Sequence, residues 1–246
     1  RGFKDFEEIL AGYYIRNSQP EKALNLTQNE LTKARALMDL GKNDEAFEIL
    51  NKVKNNFQGQ AIIHSLLAQY YFQKGMFEEA FGEIDEYAKI EPNSPLIYQM
   101  RALIYESKED SFNEHINWGK FNILKGDKEV ALNEYMIAYQ FNNKSIELIE
   151  TIANLLEVLK DNTKACEFYE RLIELEPKNT SALEKLAIFR DSIGDYRGAF
   201  EYIEQLKAVS PRNQFALDNY ESYKDRAENG GSFMSFFKSI FGKRMG

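Results

Sequence analysis

The sequence predicts an all-α fold, a right-handed superhelix of about six stacked helix-turn-helix repeats with a phase break near residues 107–113. Three spacings carry that expectation. Gly41, Gly75 and Glu109 stand at one regular step, and the series restarts with Gly126, Lys160 and Gly194 at the same step. An alanine follows five of these markers, always at the fifth position on: Ala46, Ala80, Ala131, Ala165 and Ala199. Pro92, Pro177 and Pro211 stand half a step after Gly75, Lys160 and Gly194. A period of roughly 34 residues marks stacked helical hairpins, none of which can bury its apolar face alone.

Taken in order, the first hairpin is compressed. Ala11 and Ala23 sit at its small positions, yet Ser18 lies well short of a full step before Gly41. Thr27 with Glu30 reads as a capping box, so a new helix is expected to begin there. The repeat over residues 61–95 is the plainest. Ile63, Leu67, Tyr70 and Tyr71 recur at helical spacing, and Gly75 breaks the helix. Phe77, Ala80, Phe81, Ile84 and Tyr87 form a second stripe that Pro92 ends. Glu109 and Gly126 are separated by only half a repeat, and no small residue follows Glu109. The expected organisation is therefore N-terminal repeats over 1–108 and C-terminal repeats over 109–211. A capping helix over 212–228 follows, with Phe215, Leu217 and Tyr220 facing the last repeat, then a glycine hinge and tail over 229–246.

The composition narrows the function classes. With 43% hydrophobic residues the chain can fold, and five prolines leave room for long helices. A net charge of −8 disfavours a nucleic-acid partner, because phosphate binding needs a basic face. A single cysteine, Cys166, cannot form an intramolecular disulfide and suits a reducing compartment. No apolar run reaches the length of a spanning helix. The chain opens on Arg1 rather than Met, which leaves a preceding segment open. Its expected location is cytoplasmic or peripheral to a membrane.

The small residues complete a pattern that resembles the tetratricopeptide repeat, which places small side chains at its eighth and twentieth positions and proline at its thirty-second. Here those small pairs are Ala34 with Ala46, Ala68 with Ala80, Gly119 with Ala131, Ala153 with Ala165, and Ala187 with Ala199. The resemblance covers roughly residues 4–211 and implies a non-enzymatic scaffold that binds protein or peptide segments in a concave groove. Carried over position by position, it implies an early groove wall of Leu31, Arg35, Met38, Ile62, Ser65, Gln69, Phe72, Leu96, Gln99 and Leu103, largely uncharged. The late wall is acidic, with Glu147, Glu150, Asn154, Glu157, Ser181, Glu184, Ile188 and Asp191. Such a wall selects a basic or amphipathic partner, unless its acids are ordinary solvated helix faces. Some family members clamp the carboxylate tail of chaperones with lysine, arginine and asparagine. The matching positions here hold Leu31, Arg35, Leu66, Leu96 and Met100, so that clamp is largely missing.

Catalysis is not expected, and neither are metal ions or cofactors. His64 and His115 share one position of the repeat and read as packed core histidines, as do Trp118 and Cys166 as packing residues. No phosphate-cradling glycine loop or nucleophile elbow occurs.

The tail is different in character. Phe233, Phe236, Phe237, Ile240 and Phe241 follow the spacing of one helical face, and Lys238, Lys243 and Arg244 are its only charges. Three fates are open to it: a membrane interface, a groove in another copy or another protein, or the end of its own stack.

Overall fold

Seven tight turns of one kind punctuate the computed structural model, which describes residues 2–54 and 60–229. In each, one residue takes positive φ: Ser18, Gly41, Gly75, Glu109, Gly126, Lys160 and Gly194. Six of these are the regular markers of the sequence, and Ser18 is the displaced one before them. Each turn closes in the same way. At Gly41, the amide donates to the Met38 carbonyl at 2.9 Å and the Lys42 amide donates to the Leu37 carbonyl at 2.8 Å. At Lys160 the corresponding bonds run to Glu157 and Leu156, at 3.0 and 2.9 Å. This paired closure satisfies carbonyls that the helix end leaves without partners.

The chain divides into two compact units, Arg1–Asp127 and Lys128–Gly246. Unit 1 contains α1 (Gly2–Arg16), α2 (Pro20–Leu26), α3 (Glu30–Asp39), α4 (Asn43–Val53), α5 (Gln60–Gln73), α6 (Phe77–Ile90), α7 (Pro95–Ser107) and α8 (Ser111–Lys125). They pair as α1 with α2, α3 with α4, α5 with α6, and α7 with α8. Unit 2 contains α9 (Lys128–Phe141), α10 (Ile146–Val158), α11 (Asn162–Leu175), α12 (Thr180–Ser192), α13 (Tyr196–Val209) and α14 (Gln214–Asn229). Here α10 pairs with α11 and α12 with α13, while α9 packs on α10 and α14 on α13. The described residues are thus all-α, built of stacked helical hairpins.

Small side chains bring each pair together. Ala34, Ala46, Ala68, Ala80, Ala131, Ala153, Ala165, Ala187 and Ala199 are all buried to 1% exposure or less, and Gly119 is buried as well. A bulkier residue at such a crossing would overpack it, at a cost of roughly 1–3 kcal/mol. Larger side chains fill the layer between hairpins: Leu37, Leu50, Ile63 and Leu67 form one continuous cluster. On its flank Phe47 stacks on Tyr70 with ring centroids 4.2 Å apart, tying α4 to α5. Between repeats the turns are looser. Glu91, Glu176 and Ser210, the residues before Pro92, Pro177 and Pro211, adopt φ of −126°, −132° and −136°. Proline disfavours a helical conformation in the residue before it, so α6, α11 and α13 stop there.

Three sequence expectations meet a different local structure. Thr27 and Glu30 do not make a capping box: Asn29 caps α3, its Oδ1 accepting from the amides of Leu31 and Thr32. Thr27 is engaged elsewhere, its hydroxyl donating to Glu8 Oε2 at 2.6 Å. Leu217 does not face the last repeat; it is half exposed, while Ala216 and Tyr223 take the buried face of α14 with Phe215 and Tyr220 beside them. Finally, the stretch 107–113 holds an ordinary closed turn at Glu109 between the paired helices α7 and α8, and the two units divide later, after Asp127. The half-repeat arises because α8 has a positive-φ turn at each end, Glu109 before it and Gly126 after it. Elsewhere such turns alternate with longer ones.

Candidate functional site

Side chains of α3, α5 and α7 in unit 1 line a concavity of about 400 Å³. Phe72, Leu96, Met100 and Leu103 give it an apolar floor, and the side-chain amides of Gln69, Gln73 and Gln99 stand among them. Arg35 and Asp39, both exposed on α3, bring the only charges to its lining. The wall is thus apolar, with neutral donors and acceptors and one charge of each sign at its edge.

Of the residues expected in the early groove, Arg35, Ser65, Gln69, Phe72, Leu96, Gln99 and Leu103 do line this concavity. Met38 turns into the core at 5% exposure, and Leu31 packs against the same core cluster. Ile62 is exposed outside the concavity. Asp39, Leu66, Ala68, Gln73, Met100 and Ile104 line it as well, outside the expected wall. Each lies one residue beside an expected position.

The late wall is organised by ion pairs between helices. Glu157 of α10 accepts from Lys185 Nζ of α12 at 2.9 Å and lies 2.9 Å from the Tyr169 hydroxyl of α11. The same hydroxyl lies 2.7 Å from Asn154 Oδ1. Burial, followed by the Glu157 carboxylate, pushes the Tyr169 phenol far above its ordinary pKa. Asp191 of α12 accepts from Arg226 of α14, whose guanidinium lies 4.6 Å from the Tyr223 ring centroid. Arg190 joins the set by donating to Glu170 of α11 and Asp195. Asn154, Glu157 and Asp191 are therefore engaged within the stack. Glu147 is exposed, and Glu150 and Glu184 are half-buried.

The remaining candidates are structural. His64 Nδ1 lies 2.6 Å from Glu83 Oε2, and Lys54 donates to the other oxygen at 2.6 Å. Those three side chains fasten α4, α5 and α6 around one buried carboxylate. His115 is half-buried on α8. Burial, then the charge of Glu170, pushes the Cys166 thiol up to about 12, so it carries little thiolate at neutral pH. Among the described residues no three His, Cys, Asp or Glu side chains group as metal ligands, and no helix is long and apolar enough to cross a membrane. The expected tail contacts Phe233, Phe236, Phe237, Ile240, Phe241, Lys238, Lys243 and Arg244 lie outside the described residues.

The repeat geometry agrees with what the chain is similar to. A tetratricopeptide-repeat family model matches residues 146–179, which hold α10 and α11. The described residues are all-α, and the likeness to that family model rests on this one hairpin. The chain is 29% identical over 164 residues to the BBSome complex member BBS4 of Bos taurus. That match takes in 66% of this chain and 27% of BBS4, so the chain spans about a quarter of its relative's length. Similar solved structures include the C-terminal part of a TPR repeat-containing protein from Cytophaga hutchinsonii, with a TM-score of 0.41, 15% identity, and 85% of this chain and 97% of that one covered. Another is the TPR2AB domain of yeast Sti1 in complex with pHSP90, at 0.37 and 14%, covering 94% and 99%.

Proposed function

We propose that the chain is a non-enzymatic scaffold whose unit 1 concavity holds an apolar or amphipathic segment of a partner protein. The observation that carries this reading is the make-up of that wall. Phe72, Leu96, Met100 and Leu103 offer a surface that water wets poorly, and Gln69, Gln73 and Gln99 can pair with a bound backbone. An apolar floor with a few placed polar groups is the usual composition of a recognition site. Burying two or three large side chains there would release roughly 1.5–3 kcal/mol each before the cost of association. The family match and the likeness to BBS4, named as a member of a protein complex, support the same class of function.

The late wall supports a weaker version of an acidic groove. Lys185 and Arg226 neutralise Glu157 and Asp191, leaving Glu150 and Glu184 to attract a basic segment. A short-range field from two half-buried carboxylates steers encounter more than it fixes a complex.

Selection of a displayed random-peptide library on the full chain tests the main reading. Enriched peptides should carry two or more bulky apolar residues at helical spacing, and Gln69→Arg with Gln99→Arg should abolish their enrichment. Enrichment of basic, non-apolar peptides that ignores those substitutions would reject it.

A further inference from the structure

We infer that α1 offers a second docking surface, separate from the concavity, for an amphipathic helix of a partner protein that carries an acid three residues before an aromatic ring. The surface is Phe6, Ile9 and Tyr13. They stand at i, i+3 and i+7 on one face of α1 and are 59%, 68% and 52% exposed. A repeat face left to water is expected to be polar, and this one is apolar.

The repeat itself shows what such a face receives. With Ala11 set on Ala68 of α5 and Ala102 of α7, Phe6 falls on Ile63 and Ile97, and Tyr13 falls on Tyr70 and Ile104. Ile63 shares a buried cluster with Leu50 of α4, and Ile97 and Ile104 share one with Ile84 of α6. The places that α1 leaves exposed are therefore covered, on α5 and α7, by the helix before.

Those covering helices carry one pattern. Asp44 and Phe47 of α4 recur as Glu78 and Phe81 of α6. Phe47 stacks on Tyr70 at 4.2 Å, and the Phe81 ring lies 5.3 Å from that of Tyr105. Asp44 pairs with Lys74 at 2.8 Å, and Glu78 pairs with Lys108 at 3.2 Å. Helix α1 holds the receiving half of this device. Tyr13 and Tyr14 occupy the places of Tyr70 and Tyr71, and the exposed Arg16 stands one residue before the place of the two lysines. Arg16 enters no ion pair among the described residues. Gly12 leaves the approach open, since a Cβ there would meet only the Arg16 guanidinium, at 3.9 Å. A second copy does not supply the missing half. Its α4 and α6 are packed under its own α5 and α7, and α8 holds Phe112 and His115 where the acid and the aromatic ring would be.

The test titrates the full chain into a labelled, stapled helical peptide of residues 43–54, which stands in for the partner helix, and reads fluorescence polarisation. Saturable binding is expected. Phe47→Ala in the peptide, or Ile9→Glu with Tyr13→Glu in the chain, should each weaken it tenfold or more, by at least one decade of Kd. Arg16→Glu should weaken it about threefold, the size of an exposed ion pair, and a peptide carrying Asp44→Lys should restore it. The substituted chain residues are exposed, so its melting followed by circular dichroism should not move. Absence of binding, or binding indifferent to Ile9→Glu with Tyr13→Glu, would overturn the inference. So would binding lost with Gln69→Arg and Gln99→Arg, which assigns the peptide to the concavity. A chain that sediments as a dimer, and as a monomer once Ile9 and Tyr13 are replaced, would give the face to a second copy and overturn it as well. None of these results bears on peptide capture in the concavity, which stands or falls separately.

Discussion

Glu8 shows how a single carboxylate fixes one end of the stack. It reaches from α1 to the start of α3, where its two oxygens accept from the Thr27 hydroxyl and from the amides of Gln28 and Asn29, at 2.6, 2.6 and 3.1 Å. Burial raises its pKa, but those donors outweigh burial and hold the carboxyl below the usual glutamate value. The folded pKa is depressed, so the unfolded chain binds the proton more readily. The contribution is present above the unfolded value and fades as pH falls through the folded one. Acid titration of stability should therefore show a loss below the ordinary glutamate range that Glu8→Gln lacks. Equal acid sensitivity in both proteins would contradict that role. Glu157 makes a second residue-scale case. Its partners Lys185 and Tyr169 come from neighbouring helices, so Glu157→Lys should lower stability by about 1–2 kcal/mol, because both donors lose their acceptor and two cations are brought together. Urea denaturation checks this, and a midpoint unmoved by the substitution would show that the pair is idle. Neither contact was legible in advance. Lys185 lies 28 residues after Glu157 and Arg226 lies 35 after Asp191. Position alone makes these acids look like free groove walls, and only the packing of the next helix shows them engaged.

Turns set the elements, and they were the most legible feature of the chain. Positive φ is costly for residues with a Cβ, so glycine recurs at one step of the repeat and marks the hairpin in the sequence. Lys160 holds the same conformation at φ 67° without that freedom. Gly194, at φ 80°, has nothing within 4 Å of where a Cβ would sit, so a substitution there meets backbone strain and no clash. Gly194→Ala should cost about 1 kcal/mol. Lys160→Gly should leave stability level or raise it by less than about 1 kcal/mol, because relief of strain is offset by extra freedom in the unfolded chain. Thermal unfolding of the two variants decides the matter, and a drop for Lys160→Gly would sink the account of the turn. The small alanines were legible for a similar reason, since close helix crossings leave no room at those steps. The Thr27 capping box was not, because Thr27 and Asn29 can each cap a helix and the choice fell to Glu8, 19 residues away. The half-repeat was visible as a spacing. Its meaning, a helix with a tight turn at both ends, depends on which neighbour α8 pairs with.

At the scale of the whole chain, the repeat supplies many surfaces of one geometry and very different chemistry. Unit 1 exposes an apolar concavity with neutral amides, and unit 2 spends several of its acids on ties between helices. Stability in such arrays is close to a sum of repeats and their interfaces, so substitutions on an exposed concave face can alter binding without unfolding the stack. That separation makes the central claim directly testable by isothermal titration of one library-selected peptide onto the full chain and two double variants. The first carries Gln69→Arg with Gln99→Arg in unit 1, and the second carries Glu150→Arg with Glu184→Arg in unit 2. The account predicts that Kd rises about tenfold or more for the first and stays unchanged for the second. An unchanged Kd in the first with weakened binding in the second would contradict it and place recognition on the late acidic face.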